Sequence, residues 1–463
     1  MDAMGGATVL ISGSQEAPKN VTLDTAKVFL SQHSVRYLLV QFVDIHGVVK
    51  SKSVPVDHLD DLLTDGAGFA GAGVWGLGMQ PHEAEYIVKA DIETLTLLPW
   101  LPGYARMMGT GYNGTKIHSH DTRNILKTQV ARLAGRGWTL NTGLEPEFML
   151  VRREGNGIVP FDPTDNLAKA AYDFRGLSRA RGVLERLTET LQAVGMDVYQ
   201  IDHEDANGQY EINFKYADAL KTADQISFFK MAASEIAHEA GAICTFMPKP
   251  KARSTGNGMH IHFSMADAAG KNLFHDASDP SGMGLSQLAY HFLAGVLHHA
   301  AGLTALMCPT VNSYKRLVVG NTTSGATWAP VFIAYGDNNR TAMVRVPYGR
   351  LELRVGDSGM NSYLATAALI AAGLDGVDRK LDPGPAQNVN FYAMSLDEIR
   401  AQNIGILPQN LSEAVRALRA DPLFAETLGE GIISEFAALK EIEWTDYHRH
   451  VSDWELERYL GFH

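Results

Sequence analysis

Cysteine is scarce in this chain. Cys244 and Cys308 are its only two, 64 residues apart and in no CxxC context, which excludes a zinc knuckle and a disulfide framework. Reduced, buried thiols in a cytoplasmic protein are the expectation. No Lys/Arg run is long enough to track a phosphate backbone, and the formal net charge is −12 with acids and bases interleaved. Nucleic acid is therefore not expected as a partner. Nor is a membrane: the longest apolar run, LAYHFLAGVLHHAAGLTALM from Leu288, carries three histidines and several small residues and reads as a buried helix. His298 and His299 in it are adjacent, so on a helix they point in different directions and read as structural. The first 20 residues have no basic stretch before their short apolar run, so no secretory signal is expected in them. Internal repeats and low-complexity tracts are missing too.

What the chain does contain is ordinary globular material, 45% hydrophobic and 20% charged. At 463 residues it exceeds one core of usual size, so two domains are expected. Residues 1–21 read as a mobile tail. Residues 22–113 read as a small strand-rich domain, in which RYLLVQFVDIHGVVKSKSVP alternates and turns at His46-Gly47. Residues 114–463 read as one long α+β domain, with helical patterns in TRNILKTQVARLAG, SRARGVLERLTETLQAV and QISFFKMAASEIAHEA. Gly71, Gly73 and Gly76 spell GxGxxG, but no helix pattern follows before Pro81, so a loop is expected there rather than a dinucleotide-binding turn.

Four strand-like stretches of the long domain each put charged or ligand-type residues on one face, opposite an apolar face. In GLEPEF, Glu145 and Glu147 are two residues apart and so point the same way, under about 7 Å from each other, with nothing basic beside them. In HEDANGQYEINFKY, Gln209, Glu211, Asn213 and Lys215 share a face, with Glu204 just upstream. His260, His262 and Ser264 share one in GNGMHIHFSM, as do Arg350, Glu352 and Arg354 in GRLELRV. If these faces line one cavity, it holds Glu145, Glu147, Glu204, Glu211, Glu352 and His260, too many carboxylates to stay ionised without cations. Oxygen-dominated ligands with at most one imidazole suit Mg²⁺ or Mn²⁺, and six are about enough for two ions. Arg316, Arg340, Arg345, Arg350 and Arg354 fall within forty residues of one another. Guanidinium forks and two cations together suit phosphoryl transfer from a nucleotide to an acid.

These motifs, with NSYKRL, NNRTAMVRVP and the closing WELERYL, resemble the glutamine synthetase family in order and spacing from about Val40 to Tyr459. The resemblance implies a small N-terminal β-grasp domain, residues 22–113, and a catalytic domain, residues 114–463, with a curved antiparallel sheet flanked by helices. It further implies stacked hexameric rings with each site at a subunit junction. By resemblance, Glu147, Glu204 and Glu211 hold a first metal, and Glu145, His260 and Glu352 a second. Gly256, Arg316 and Arg354 bind L-glutamate, Arg340 stabilises the transferred phosphoryl group, and His262, Ser264, Arg345 and Arg350 face ATP. Asp44, reaching in from the adjacent subunit, binds and helps deprotonate the amine.

Other positions depart from the family pattern. The flap reads VVGNTTSGATWAP, with Thr327 and Trp328 where ammonia-using members carry a Glu. Ala70 stands where their loop Asp would be, and Thr255 replaces the usual Asn before Gly256. An alkylammonium offers fewer N–H donors and an apolar substituent, which suits the loss of two acids. The resemblance is therefore to the branch that joins small primary amines, methylamine above all, to glutamate through a γ-glutamyl phosphate. An ordinary glutamine synthetase using ammonia, and a non-catalytic relative, are the alternatives. Tyr392 lies in a loop resembling one that is covalently regulated in the family.

Overall fold

Alternation and turn chemistry build the small domain. The computed structural model describes residues 15–318 and 329–462. Thr22 caps helix α1 (Leu23–Gln32) in a reciprocal box with Thr25. Strand β1 (Tyr37–Val43) turns back at Gly47, whose φ of +82° a side chain would strain, into β2 (Val49–Pro55), with Val43 opposite Val49. Strands β3 (Ala67–Phe69), β4 (Tyr86–Ala90) and β5 (Tyr104–Asn113) complete a mixed sheet of order β2-β1-β5-β4-β3, in which β1 and β5 run parallel. Leu38, Val40 and Phe42 of β1 join Tyr86, Val88 and Met107 in its own core. The GxGxxG stretch is no dinucleotide turn: Gly71–Gly73 is a short 3₁₀ turn directly after β3. Gly76, at φ +84°, lies against Ile45 so closely that a Cβ would sit 2.3 Å from the Ile45 Cβ.

Buried polar contacts bind this sheet to the rest. Arg106 of β5 is 3% exposed and donates to the Ser227 hydroxyl and the Asp224 carbonyl of a helix in the large domain. These two donations tie the small sheet to that helix, although the buried Arg106 Nε has no hydrogen-bond partner among the described residues.

The large domain opens with α2 (Thr122–Ala134), capped by Asp121, and then the long strand β6 (Trp138–Glu154). Next come α3 (Phe174–Ala193), β7 (Val198–His203), β8 (Gln209–Phe214), α4 (Ala219–Glu239) and β9 (Met259–Asp267). Aspartates cap α3 and α4, whose starts lie four and six residues before the stretches read as helical from periodicity. The apolar run after Leu288 is two helices, α5 (Gln287–His298) and α6 (Ala300–Met307). They break at His299, whose ring nitrogens lie 2.6 and 2.9 Å from the Asp421 and Asp375 carboxylates. Strands β10 (Tyr335–Asp337), β11 (Val344–Val346) and β12 (Leu351–Leu353) follow, then α7 (Ser362–Arg379), which is buried over most of its length.

The principal sheet runs β7-β8-β6-β9-β12-β11-β10, antiparallel except for the β10–β11 edge. Helices pack on the apolar face, where Phe148, Tyr210, Ile212, Ile261 and Phe263 enter one continuous core. The opposite face carries the acids.

Candidate active site

Register brings the four sequence motifs together. Across β6 and β8, Glu147 stands opposite Glu211; across β6 and β9, Glu145 stands opposite His260. His262 faces Glu352 across β9 and β12, and Glu352 in turn faces Arg345 on β11. Side chains of paired residues share a face, so five strands deliver acids, imidazoles and guanidinium groups to one cavity of about 440 Å³. All six expected metal ligands line it, with Gly256, His262, Arg316, Arg340, Arg345, Arg350 and Arg354. Ser264 lines an adjoining cavity of about 510 Å³ that shares Glu145, Tyr199, Asn213, His262 and Arg350 with the first.

The acids fall into two groups. Glu147, Glu204 and Glu211 each offer an oxygen within 4.8 Å of the others, and so do Glu145, His262 and Glu352 with one ligand atom apiece. Glu145 and Glu147, neighbours on one face of β6, thus serve different groups. The resemblance named His260 for the second group; alternation on β9 puts both histidines on that face, with His262 Nε2 nearer Glu145 (3.2 Å against 3.6 Å for His260 Nδ1) and His260 Nδ1 marginally nearer Glu352 (3.8 Å against 3.9 Å).

Electrostatics separate the two groups. Burial, then the Glu147 and Asp202 carboxylates, pushes the Glu204 carboxyl up to about 8. Burial and its acidic neighbours push Glu211 well above the usual range. In the second group burial also opposes charge, but the neighbouring His260 and His262 rings outweigh it and hold Glu145 below the usual carboxylate range. Glu352 is brought down to about 2 against its burial, chiefly by Arg354 and the two histidines. Burial and then the Arg354 charge push the His260 imidazole down from its ordinary value, which favours the neutral form that binds metals. The first group is a set of carboxylates short of positive charge, and a divalent cation with oxygen preference fits it; the second fits one as well, with an imidazole added.

Second partners hold these ligands in place. Glu147 accepts from the buried Gln209 amide (3.0 Å) and from the Gly258 N–H (2.7 Å). Arg345 donates to Glu352 at 2.8 Å, and Arg354 grips the other Glu352 oxygen. Arg316 donates to the Val355 and Arg354 carbonyls, which aims it at Gly258. Asp44 lies outside the cavity of its own chain. Its Oδ1 accepts the His46 and Val48 N–H groups while Oδ2 sits 3.1 Å from Lys50 Nζ.

A family model described as the glutamine synthetase catalytic domain matches residues 119–459. The chain belongs to the glutamine synthetase family. Among the relatives of this glutamine synthetase family member, the glutamate–methylamine ligase of Methyloversatilis universalis is 55% identical over 438 residues, covering 94% of this chain and 99% of that protein. The glutamine synthetase of Rhizobium leguminosarum is 39% identical over 442 residues, covering 95% and 100%. A solved structure described as a GmaS/ADP complex superposes with a TM-score of 0.88 at 43% identity, covering 94% of this chain and 98% of that one. Apo GmaS gives 0.86 at 41%, covering 93% and 98%.

Several cavity residues of this family member escape sequence reasoning. Tyr172 lines the main cavity at φ +63°, an uncommon backbone conformation for an aromatic residue. Lys249, Asp202 and Asp205 line it too, and Tyr216 and Tyr348 line the adjoining one. No periodicity marks them; only the fold collects them. Thr327 and Trp328 of the flap lie outside the described residues. Ala70 is exposed, between β3 and the turn that follows it. Among the described residues, no helix is long and apolar enough to cross a membrane.

Proposed function

We propose that this ligase joins the γ-carboxylate of L-glutamate to a small primary amine, methylamine in preference to ammonia, with ATP converted to ADP and phosphate. The carrying observation is the 55% identity, over nearly the full length of both chains, to a glutamate–methylamine ligase, against 39% to a glutamine synthetase. Loss of an acid at Ala70 and in the flap points the same way.

The γ-carboxylate takes the terminal phosphoryl group of ATP, and the amine nitrogen then attacks the acyl carbon of γ-glutamyl phosphate. The C–O bond to phosphate breaks as the C–N bond forms, and the amine gives up a proton. Arg316 and Arg354 receive the glutamate carboxylates beside Gly256, and Arg340, exposed at the cavity wall, meets the transferred phosphoryl oxygens. His262, Ser264, Arg345 and Arg350 lie on the nucleotide side, where Tyr216 and Tyr348 offer flat faces to a base. Glu147, Glu204 and Glu211 would hold one Mg²⁺ or Mn²⁺, and Glu145 and Glu352 with His260 or His262 another. Those ions supply the positive charge that phosphate and carboxylate need in order to approach one another.

Asp44 takes its role in the site of a neighbouring subunit, an arrangement supported by its position outside its own cavity. A ring assembly in the cytoplasm is part of the same reading. Trp454, Leu460 and Phe462, exposed by 62%, 80% and 68%, give the single chain an apolar end that a neighbour would cover. The direct test is mass spectrometry of the products from ATP, glutamate and methylamine with Mg²⁺. One γ-glutamylmethylamide per ADP is expected; phosphate release without amide would overturn the reading.

A further inference from the structure

Asp44 stands on the turn between β1 and β2, and two elements of the large domain reach that turn from separate directions. One is the buried Asn361 at the start of α7. Its Oδ1 accepts the Tyr363 and Leu364 N–H groups at 3.0 and 3.2 Å and so caps the helix. With the oxygen committed to the cap, Nδ2 faces the turn and donates to the Asp44 carbonyl at 2.8 Å. That carbonyl also accepts the Gly47 N–H at 3.0 Å, so both of its lone pairs are used. The backbones touch here as well: a Cβ on Gly47 would lie 3.2 Å from the Asn361 Cα. The other element is the long helix Glu430–Arg449, whose buried Lys440 Nζ lies 3.3 Å from His46 Nδ1 and 2.9 Å from the Glu443 carboxylate.

Neither contact is needed to close the turn. Strands β1 and β2 already pair from Val43 and Val49 outward, and Asp44 Oδ1 accepts the His46 and Val48 N–H groups. Nor does the cap need an amide, since Asp or Ser would supply an acceptor equally well. What Asn adds is a donor. The segment from Arg354 to Asn361 also passes beneath the acid-bearing strands, where the Ser358 hydroxyl lies 2.7 Å from the Glu147 carbonyl oxygen and Lys230 donates to the Ser358 carbonyl at 2.7 Å. One connector therefore touches the backbone of a ligand strand at Ser358 and the Asp44 turn at Asn361.

We propose that Asn361 is a positioning residue for the amine step: by donating to the Asp44 carbonyl it sets where Asp44 stands in the neighbouring subunit's site, and Lys440 steadies the same turn through His46. This rests on the reading of Asp44 given above. Capping is the work of Oδ1 and positioning that of Nδ2, so one substitution separates them. Asn361→Asp keeps an acceptor for the cap and puts an oxygen where the donor stood, facing the Asp44 carbonyl.

Displacing a reacting group predicts that Asn361→Asp lowers kcat/KM for the amine by roughly 10- to 100-fold, with KM for ATP and glutamate within about twofold. Subunit mixing then shows in which site the defect falls. Dissociated and reassembled with Arg340→Ala subunits, Asn361→Asp subunits should give more activity than the two parents together, because some junctions join a sound cavity to a sound Asp44 turn. Reassembled with Asp44→Asn subunits they should give no gain, since both then carry the defect on the turn. Lys440→Met, which leaves the α7 cap whole, should show the same partition with a smaller loss and carries the test if Asn361→Asp does not fold. Unchanged amine kinetics in these variants would overturn the proposal. So would the reverse partition, gain with Asp44→Asn and none with Arg340→Ala, which would place the defect in the chain's own cavity by way of Ser358. If Asp44→Asn and Arg340→Ala subunits do not restore one another, the shared-site reading beneath the proposal falls instead.

Discussion

Burial and neighbouring acids make the charged forms of Glu204 and Glu211 expensive and raise both carboxyls above the usual range, which favours their protonated forms when no cation is bound. The linkage follows directly. The Glu204 carboxyl titrates near 8 when folded, against about 4.3 in an unfolded chain, so the folded state binds more protons across that interval. Its contribution to stability is complete below the unfolded value and is lost as pH rises through about 8. Protein freed of metal with a chelator should therefore show a Tm that falls from pH 6 to pH 9. Saturating Mg²⁺, which replaces the protons, should flatten the curve. A chelated sample with a Tm independent of pH would show that these carboxyls are not short of positive charge. At this scale the sequence was readable for Glu145, Glu147, Glu211, His260 and Glu352, because alternation announces which side chains share a face. It was silent on Tyr172 and Asp205, which sit in irregular segments and join the site only through tertiary packing.

Secondary-structure elements carry a different kind of information. Periodicity located α2, α3 and α4 but placed the starts of α3 and α4 late, because the first turns are set by the Asp173 and Asp218 caps and not by apolar spacing. It could not divide α5 from α6, since the break at His299 is held by Asp375 and Asp421, acids far along the chain. Register was equally hidden: that Glu147 meets Glu211 while Glu145 meets His260 is decided by pairing between strands more than sixty residues apart in sequence. Helices α5 and α7 approach closely at glycines. A Cβ on Gly376 would lie 2.2 Å from the His291 carbonyl oxygen and 2.6 Å from the Gly295 Cα, all rigid backbone. Gly376→Ala should therefore destabilise by about 1–3 kcal/mol, an overpacking cost. Gly182, in α3 with nothing within 4 Å of a built Cβ, provides the contrast: Gly182→Ala should stabilise by about 0.5–1 kcal/mol. Thermal or urea unfolding of both variants reads the two signs, and equal signs would deny that α5 and α7 are in contact at Gly376.

For the whole molecule, the arrangement of Asp44 and Arg340 makes a prediction about assembly. Asp44 is 2% exposed on a turn of the small domain, while Arg340 lines the cavity of the large one. If neighbours complete each other's sites, Asp44→Asn and Arg340→Ala subunits, each inactive alone, should regain part of the activity when dissociated and reassembled together. Mixed particles as inactive as either parent would confine the site to one chain. If the amine binds at Asp44 as proposed, it shares that carboxylate with Lys50, whose Nζ lies 3.1 Å from Oδ2. The most direct test of alkylamine ligation is the ratio of kcat/KM for methylamine to that for ammonium, measured on the unmodified enzyme with saturating ATP, glutamate and Mg²⁺. A fitted methyl group predicts a ratio of roughly 10 to 200 in favour of methylamine, and a ratio below one would contradict the assignment and make the protein an ammonia-using glutamine synthetase.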